Sequence, residues 1–379
     1  MIVRFLTLIT VALIATTASP SVAYADSIRD RQWHLQFLNL AVAHQFSKGD
    51  GILVGVADTG VDPRSSELSS VVVAGKQFDR DGDGRTDTDG HGTAMAALIA
   101  ARGKGDGNGA LGIAPKATIL PLRVLPGGIT GDPAHLGDGI AWAVEHGAKV
   151  ISISISTSED DSIETAVDQA IAADVVVVAG AGNAPNDKKV AYPARLPGVL
   201  AVGGVDRQGN HAGISVTGPE VMIAAPAVDI LSIGASQRYR TASGTSDATA
   251  IVAGAVALVR SKYPQLSGPE VVRRLTATAQ DRGAPGRDEQ YGYGVLDLVA
   301  ALTADVPPAS AGATVAGTTA AAAPKGDSRG GRAGMFVALA GVLVVVLLLL
   351  IVLGRRRRAV RSEWNPRPLP PPIGRDRRE

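Results

Sequence analysis

The 379-residue chain contains no cysteine. It can form no disulfide, and no thiol can act as its nucleophile. Aromatic residues make up only 4% of it. Basic grooves interleaved with stacking aromatics, the mark of a nucleic-acid surface, are absent. No Gly-rich phosphate loop follows a strand, and no His-Glu-x-x-His pair offers a zinc site. Internal repeats are lacking as well. Thiol, phosphate-loop, zinc-hydrolase and nucleic-acid functions are therefore excluded as first readings.

An apolar run stands near each end of the chain. Arg4 precedes an apolar stretch from Phe5 to Ala15, and Ala23-Tyr24-Ala25 follows. A basic start, a short apolar region and an Ala-x-Ala site describe a secretory signal peptide, residues 1–25. Gly334–Gly354 is uncharged and rich in Val and Leu. At about 1.5 Å per residue it is long enough to cross a bilayer core of about 30 Å. Arg355, Arg356, Arg357 and Arg358 follow at once. Clustered arginines stay on the cytoplasmic side, so the expectation is a single-pass protein of the cell membrane, its main body extracytoplasmic and its C-terminus inside. The formal charge of +1 hides an asymmetry: residues 355–379 hold nine Arg against Glu363, Asp376 and Glu379. The basic tail suits the membrane surface, and the remainder is net acidic. The tail is also Pro-rich, with Pro366, Pro368, Pro370, Pro371 and Pro372.

Residues 304–333 are mostly Ala, Gly, Thr, Ser and Pro, too poor in large apolar residues to fold, and read as a stalk. Residues 26–51 form an N-terminal extension, and 52–303 the main domain. Within that domain apolar runs alternate with helical patterns. Strands are expected at Ile52–Ala57, Thr118–Leu125, Val150–Ile155, Val175–Ala179 and Gly198–Val202. Helices are expected at His91–Ala101, Ala134–Glu145, Ser162–Ala172, Ser246–Lys262 and Gly268–Ala279. Strands without clean alternation, separated by helices, indicate a largely parallel sheet covered on both faces.

Three segments carry chemistry: Val56-Ala57-Asp58-Thr59-Gly60, Asp89-Gly90-His91-Gly92-Thr93 and Gly244-Thr245-Ser246-Asp247-Ala248. A hydroxyl is a poor nucleophile at neutral pH. It needs an imidazole to take its proton and a carboxylate to hold that imidazole. Asp58 ends a strand, where parallel folds place ligands. His91 and Ser246 each open a helix. Singly, each has a plain structural explanation, such as a helix cap for Ser246. Together and in this order they suggest catalytic Asp58, His91 and Ser246. A buried strand also runs through Ala179-Gly180-Ala181-Gly182 into Asn183. An amide there is placed to meet the negative charge of an acyl-transfer oxyanion.

These segments resemble the subtilisin-like (subtilase, peptidase S8-type) serine proteases over roughly residues 32–303. So do Gly112-Ile-Ala-Pro115, Gly147-Ala-Lys-Val-Ile-Ser152-Ile-Ser154, Tyr192-Pro-Ala194 and Tyr291-Gly-Tyr-Gly294. The resemblance implies a three-layer α/β fold with a mostly parallel central sheet, here followed by one transmembrane helix. It implies an endopeptidase working through a Ser246 acyl-enzyme, with Asn183 facing the oxyanion. Ser154, Ser156, Gly180 and Gly182 would flank an extended protein or peptide substrate. The layout and the Arg31-Gln-Trp33 segment look like the mycosins, membrane-anchored proteases associated with type VII secretion. Components of such a complex are the implied partners, alongside the membrane and the substrate. A subtilase fold kept as a structural subunit is the alternative. The chain departs from the family at Asp247, where Met or Phe is usual, at Ala250, where Pro is usual, and at Ala227, usually Gly. Asp247 would raise the basicity of His91 if it points that way.

Asp79, Asp81, Asp83 and Asp87 resemble the first half of an EF-hand-type calcium loop. The twelfth position is Gly90, so the bidentate ligand is missing. A solvated acidic loop is the better reading, calcium the weaker one, and no cofactor is required.

Overall fold

The computed structural model describes residues 27–105, 108–125 and 133–307. The expected leader (1–25), span (334–354) and tail (355–379) lie outside them, as does nearly all of the expected stalk. Among the described residues no helix is long and apolar enough to cross a membrane.

In chain order the elements are α1 (Ser27–Arg31), α2 (Trp33–Phe37), α3 (Leu40–Ala43), β1 (Leu53–Asp58), β2 (Lys76–Gln77) and α4 (His91–Ala100). A two-stranded ribbon, β3 (Arg102–Lys104) and β4 (Asn108–Leu111), precedes β5 (Thr118–Arg123). Then come α5 (Pro133–Glu145), β6 (Val150–Ile153), α6 (Asp161–Ala172), β7 (Val176–Gly180), β8 (Leu200–Val205) and β9 (Ile223–Pro226). A hairpin of β10 (Ile230–Ile233) and β11 (Tyr239–Ala242) leads to α7 (Thr245–Lys262), α8 (Gly268–Ala277) and α9 (Leu298–Thr303).

Seven strands form one sheet in the order β2-β5-β1-β6-β7-β8-β9. Every pairing in it is parallel. The unbroken apolar runs follow from burial on both faces. In β7, Val176 and Val178 pack with the layer containing α4 and α7, while Val177 and Ala179 pack with the layer containing α5 and α6. The expected three-layer arrangement around a parallel central sheet is thus observed. α7 is buried nearly all round, and its small residues let it run close to its neighbours. A Cβ at Gly254 would lie 2.6 Å from Ile113 Cβ, so only glycine fits that crossing.

The expected strands and helices are all present, with shifted ends. Thr118–Leu125 stops at Arg123, because Val124 and Leu125 turn their N–H groups onto Asp58 O. Val150–Ile155 stops at Ile153, which leaves residues 154–156 outside the sheet. The expected Gly198 start moves to Leu200, since Gly198 turns at φ +81°. The short elements β2, β3, β4, β9, β10, β11, α1–α3 and α9 were not anticipated.

The N-terminal extension is fastened to the domain. Gln32 bonds Leu111 through both ends of its amide, accepting from Leu111 N (2.8 Å) and donating to Leu111 O (3.0 Å). Trp33 Nε1 donates to Val228 O (3.0 Å). These anchors lie on the β4 and β10 side, and none of the segment's described residues borders the cleft described next.

Candidate active site

Strands β1, β5, β6 and β7 end at one edge of the sheet, and a cavity of about 380 Å³ opens there. Parallel α/β folds place ligands at such carboxyl ends. The chain leaving β1 supplies Thr59, that leaving β5 supplies Leu125, and that leaving β6 supplies Ser154, Ile155 and Ser156. β7 leads into Gly180, Gly182, Asn183, Asn186 and Asp187. Two helix starts complete the wall: Asp89 and His91 at α4, and Thr245 and Ser246 at α7.

Asp58 is fully buried and ends β1. Its Oδ1 accepts from Thr59 N at 2.8 Å. His91 Nδ1 lies 2.8 Å from Asp58 Oδ1 and 2.9 Å from Oδ2. A carboxylate only accepts, so Nδ1 carries the proton and Nε2 is left facing the cleft. This close approach depends on Gly92. A Cβ there would lie 2.2 Å from Gly60 O and 3.0 Å from Asp58 Cβ.

Burial would lower the His91 pKa, but the charge and hydrogen bond of Asp58 outweigh it. With a further raising contribution from Asp247, against Arg240, the imidazole is raised to about 9. Asp58 thus favours the doubly protonated ring at neutral pH. That state matches the position of Ser246. Its Oγ donates to Ser154 O at 3.0 Å, and Ser154 Oγ donates back to Ser246 O at 3.1 Å. A doubly protonated imidazole has no lone pair to receive the Ser246 proton.

Asn183 Oδ1 accepts from Thr245 N (2.9 Å) and Thr245 Oγ1 (3.3 Å). With its oxygen held, the amide keeps its NH₂ for the cleft. Asp187 Oδ2 accepts from Asn183 N at 2.7 Å and fixes the backbone of the same residue.

His91, Ser246, Asn183, Ser154, Ser156, Gly180 and Gly182 thus line one cleft, with Asp58 buried behind His91. The acidic loop behaves differently. Asp79 accepts from Gln77 Nε2 (2.7 Å), Asp83 pairs with Arg85 (2.6 Å), and Asp81 is exposed. Asp87 is buried and holds the start of α4. Its Oδ1 accepts from Thr59 Oγ1 (3.0 Å) and Gly90 N (2.8 Å), and its Oδ2 from Thr93 N (2.9 Å) and Thr93 Oγ1 (2.5 Å). Among the described residues no three such side chains are gathered as a metal site. Sequence reading missed this anchoring role of Asp87. An Asp four residues ahead of a helix-opening His was the available signal. It also missed Asp89 and Asp187 as cleft residues.

Asp247 is buried, and its Oδ1 has no hydrogen-bond partner. Burial pushes its carboxyl up to about 6, against the charges of Arg240 and His91. The conditional expectation about Asp247 is met in one respect: its charge acts on His91 in the raising direction.

A family model described as the subtilase family, peptidase S8, matches residues 49–294. Subtilisin DY of Bacillus licheniformis is 38% identical over 268 residues, covering 69% of this chain and 94% of that protein. Mycosin-1 of Mycobacterium tuberculosis is 33% identical over 353 residues, covering 78% of each. A solved structure of MycP1, described as a serine protease and an essential component of the type VII (ESX-1) secretion system, matches with a TM-score of 0.65. That match has 35% identity and covers 75% of this chain and 90% of the other.

Proposed function

We infer the function from one premise: this chain belongs to the subtilase family and is a serine endopeptidase similar to the mycosins. Our reading is a membrane-anchored, extracytoplasmic enzyme associated with type VII secretion. It cleaves proteins or peptides through a Ser246 acyl-enzyme. The observation that carries the chemistry is the Asp58–His91 pair, both carboxylate oxygens within 2.9 Å of Nδ1, facing Ser246 and Asn183 across one cavity.

The steps follow from the geometry. An extended peptide enters between residues 154–156 and 180–182 and adds main-chain hydrogen bonds. A peptide N–H on Ser154 O displaces the Ser246 hydroxyl, which then turns to His91. Neutral His91 takes the Ser246 proton as Oγ bonds to the scissile carbonyl carbon. Charge on the carbonyl oxygen meets the Asn183 amide and the Ser246 backbone N–H. Imidazolium His91 protonates the departing amine, and the C–N bond breaks. Water, deprotonated by His91, then releases the acid and restores Ser246. Asp58 holds Nδ1–H throughout.

Only the neutral imidazole can act as base. The His91 pKa of about 9 therefore predicts that kcat/KM rises with pH through the neutral range and levels off above about 9. Labelling with a fluorophosphonate probe at alkaline pH tests the reading. Wild type should label and Ser246→Ala should not. A folded wild type that stays unlabelled at every pH would instead support the structural-subunit reading, which the resting Ser246–Ser154 bond favours. The anchoring reading rests on the apolar run 334–354 and its arginines. Deleting that run should move the protein from the alkali-washed membrane pellet to the soluble fraction.

A further inference from the structure

Among the described residues the cleft is lined by two carboxylates and by no lysine or arginine. Asp89 stands on the α4 side, two residues before His91, and its Oδ1 accepts from His91 N (3.1 Å). Asp187 stands on the opposite side, with Oδ2 on Asn183 N (2.7 Å). Each therefore keeps one oxygen without a hydrogen bond. Among the described residues neither joins an ion pair. Lys188 and Lys189 follow Asp187 but are exposed, and Lys189 reaches Glu159 at 3.8 Å.

Asp58 has His91, and buried Asp247 has Arg240 acting on it. Asp89 and Asp187 are left as unmatched negative charge facing the substrate. A concave site lined by one sign concentrates its field and selects the opposite charge.

We propose that Asp187 and Asp89 make this cleft selective for basic segments, with lysine or arginine flanking the cleaved bond. Asp187 is bonded to Asn183, which faces the scissile carbonyl, so it serves the residue that donates that carbonyl. Asp89 serves the residue lying against His91. A long cationic side chain can span the cleft to the free carboxylate oxygen while its methylenes pack on Ile155 or Leu125. A glutamate at the same place meets like charge. The proposal rests on the endopeptidase reading of the same cleft, and its test is separable from that reading.

The test uses the full chain carrying Ser246→Ala, so that affinity is read without turnover. Three labelled peptides differ only in Lys, Gln or Glu on the acyl side of the cleavage position, and binding is followed by fluorescence anisotropy. The expected result is Lys over Glu by about tenfold or more at low ionic strength, with Gln between them. The ratio should shrink as salt is added. It should collapse towards one in Asp89→Asn/Asp187→Asn, which keeps both side chains able to accept their backbone bonds. Equal affinity for Lys and Glu peptides, or a Lys preference indifferent to salt, overturns the proposal. Hydrolysis of the same peptides by the Ser246 protein tests the endopeptidase reading separately: failure to cleave removes that reading, while the binding ratio still decides this one.

Discussion

The two helix starts that frame the cleft, at His91 and at Ser246, are built to opposite standards. At α4 the polar groups are answered many times over. Asp87 takes bonds from Thr59, Gly90 and Thr93, Thr59 Oγ1 accepts from Gly92 N (2.9 Å), and Asp58 grips the ring. At α7 Thr245 is tied to Asn183, but Ser246 rests on a carbonyl and Asp247 is buried with an orphaned oxygen. The base is gripped by its carboxylate, while the nucleophile's hydroxyl is held by the Ser154 carbonyl and not by the base. A satisfied buried network is stabilising, and an unsatisfied buried group costs about 1–3 kcal/mol. The difference marks α4 as the rigid half of the site and α7 as the half that carries stored cost.

The contrast can be broken first at its strongest point. Asp58→Asn keeps the shape but presents an amide where His91 needs a carboxylate. The ring loses its tautomer and its charge partner, so kcat should fall by about 10⁴. On the α7 side, Asn183→Ala removes one oxyanion donor and should lower kcat by about 10²–10³, with KM little altered. Steady-state kinetics on a neutral peptide reads both. Comparable losses would mean that the two halves contribute alike to the transition state.

A third change attacks the rigidity of α4 without touching the reacting groups. Asp87→Ala strands buried donors on Thr59, Gly90 and Thr93 at once. Destabilisation of about 2–4 kcal/mol is expected, seen as a lower denaturation midpoint with an unchanged slope. If the midpoint hardly moves, α4 is not held by this network.

The asymmetry was only partly legible in the sequence. Asp58, His91 and Ser246 stand beside small residues at strand and helix ends, so local pattern reveals them. The sheet core was legible because strands such as Val176–Gly180 are apolar on both faces. Asp87 was hidden in an Asp-rich loop, where its partners Thr59 and Thr93 come from two other elements. The β10–β11 hairpin mixes polar and apolar residues over four-residue strands, too short for a period to show. The Gln32 clamp joins positions 79 residues apart, beyond any local signal. Asp89 and Asp187 were visible as acids, but only the fold puts them across one cleft.

The smallest effect concerns the orphan itself. The Asp247 carboxyl sits at about 6 in the fold against an ordinary 3.8. The folded chain therefore holds a proton that the unfolded chain gives up. By linkage this group costs stability progressively as pH rises from about 4 to 6, and costs the full amount above that. Asp247→Asn should consequently raise the melting temperature at pH 8 by a few degrees, and the gain should shrink towards pH 4. The same substitution removes a charge that raises the His91 pKa. The rising limb of kcat/KM should shift to lower pH by a fraction of a unit, because the imidazole becomes neutral earlier. The two readouts have a common origin and run in the same direction for the enzyme. A carboxylate that weakens the fold at alkaline pH also delays the pH at which His91 becomes a base. If Asp247→Asn stabilises the protein and leaves the pH profile fixed, Asp247 is only an imperfection of packing. If both move together, the unsatisfied start of α7 is coupled to the satisfied start of α4.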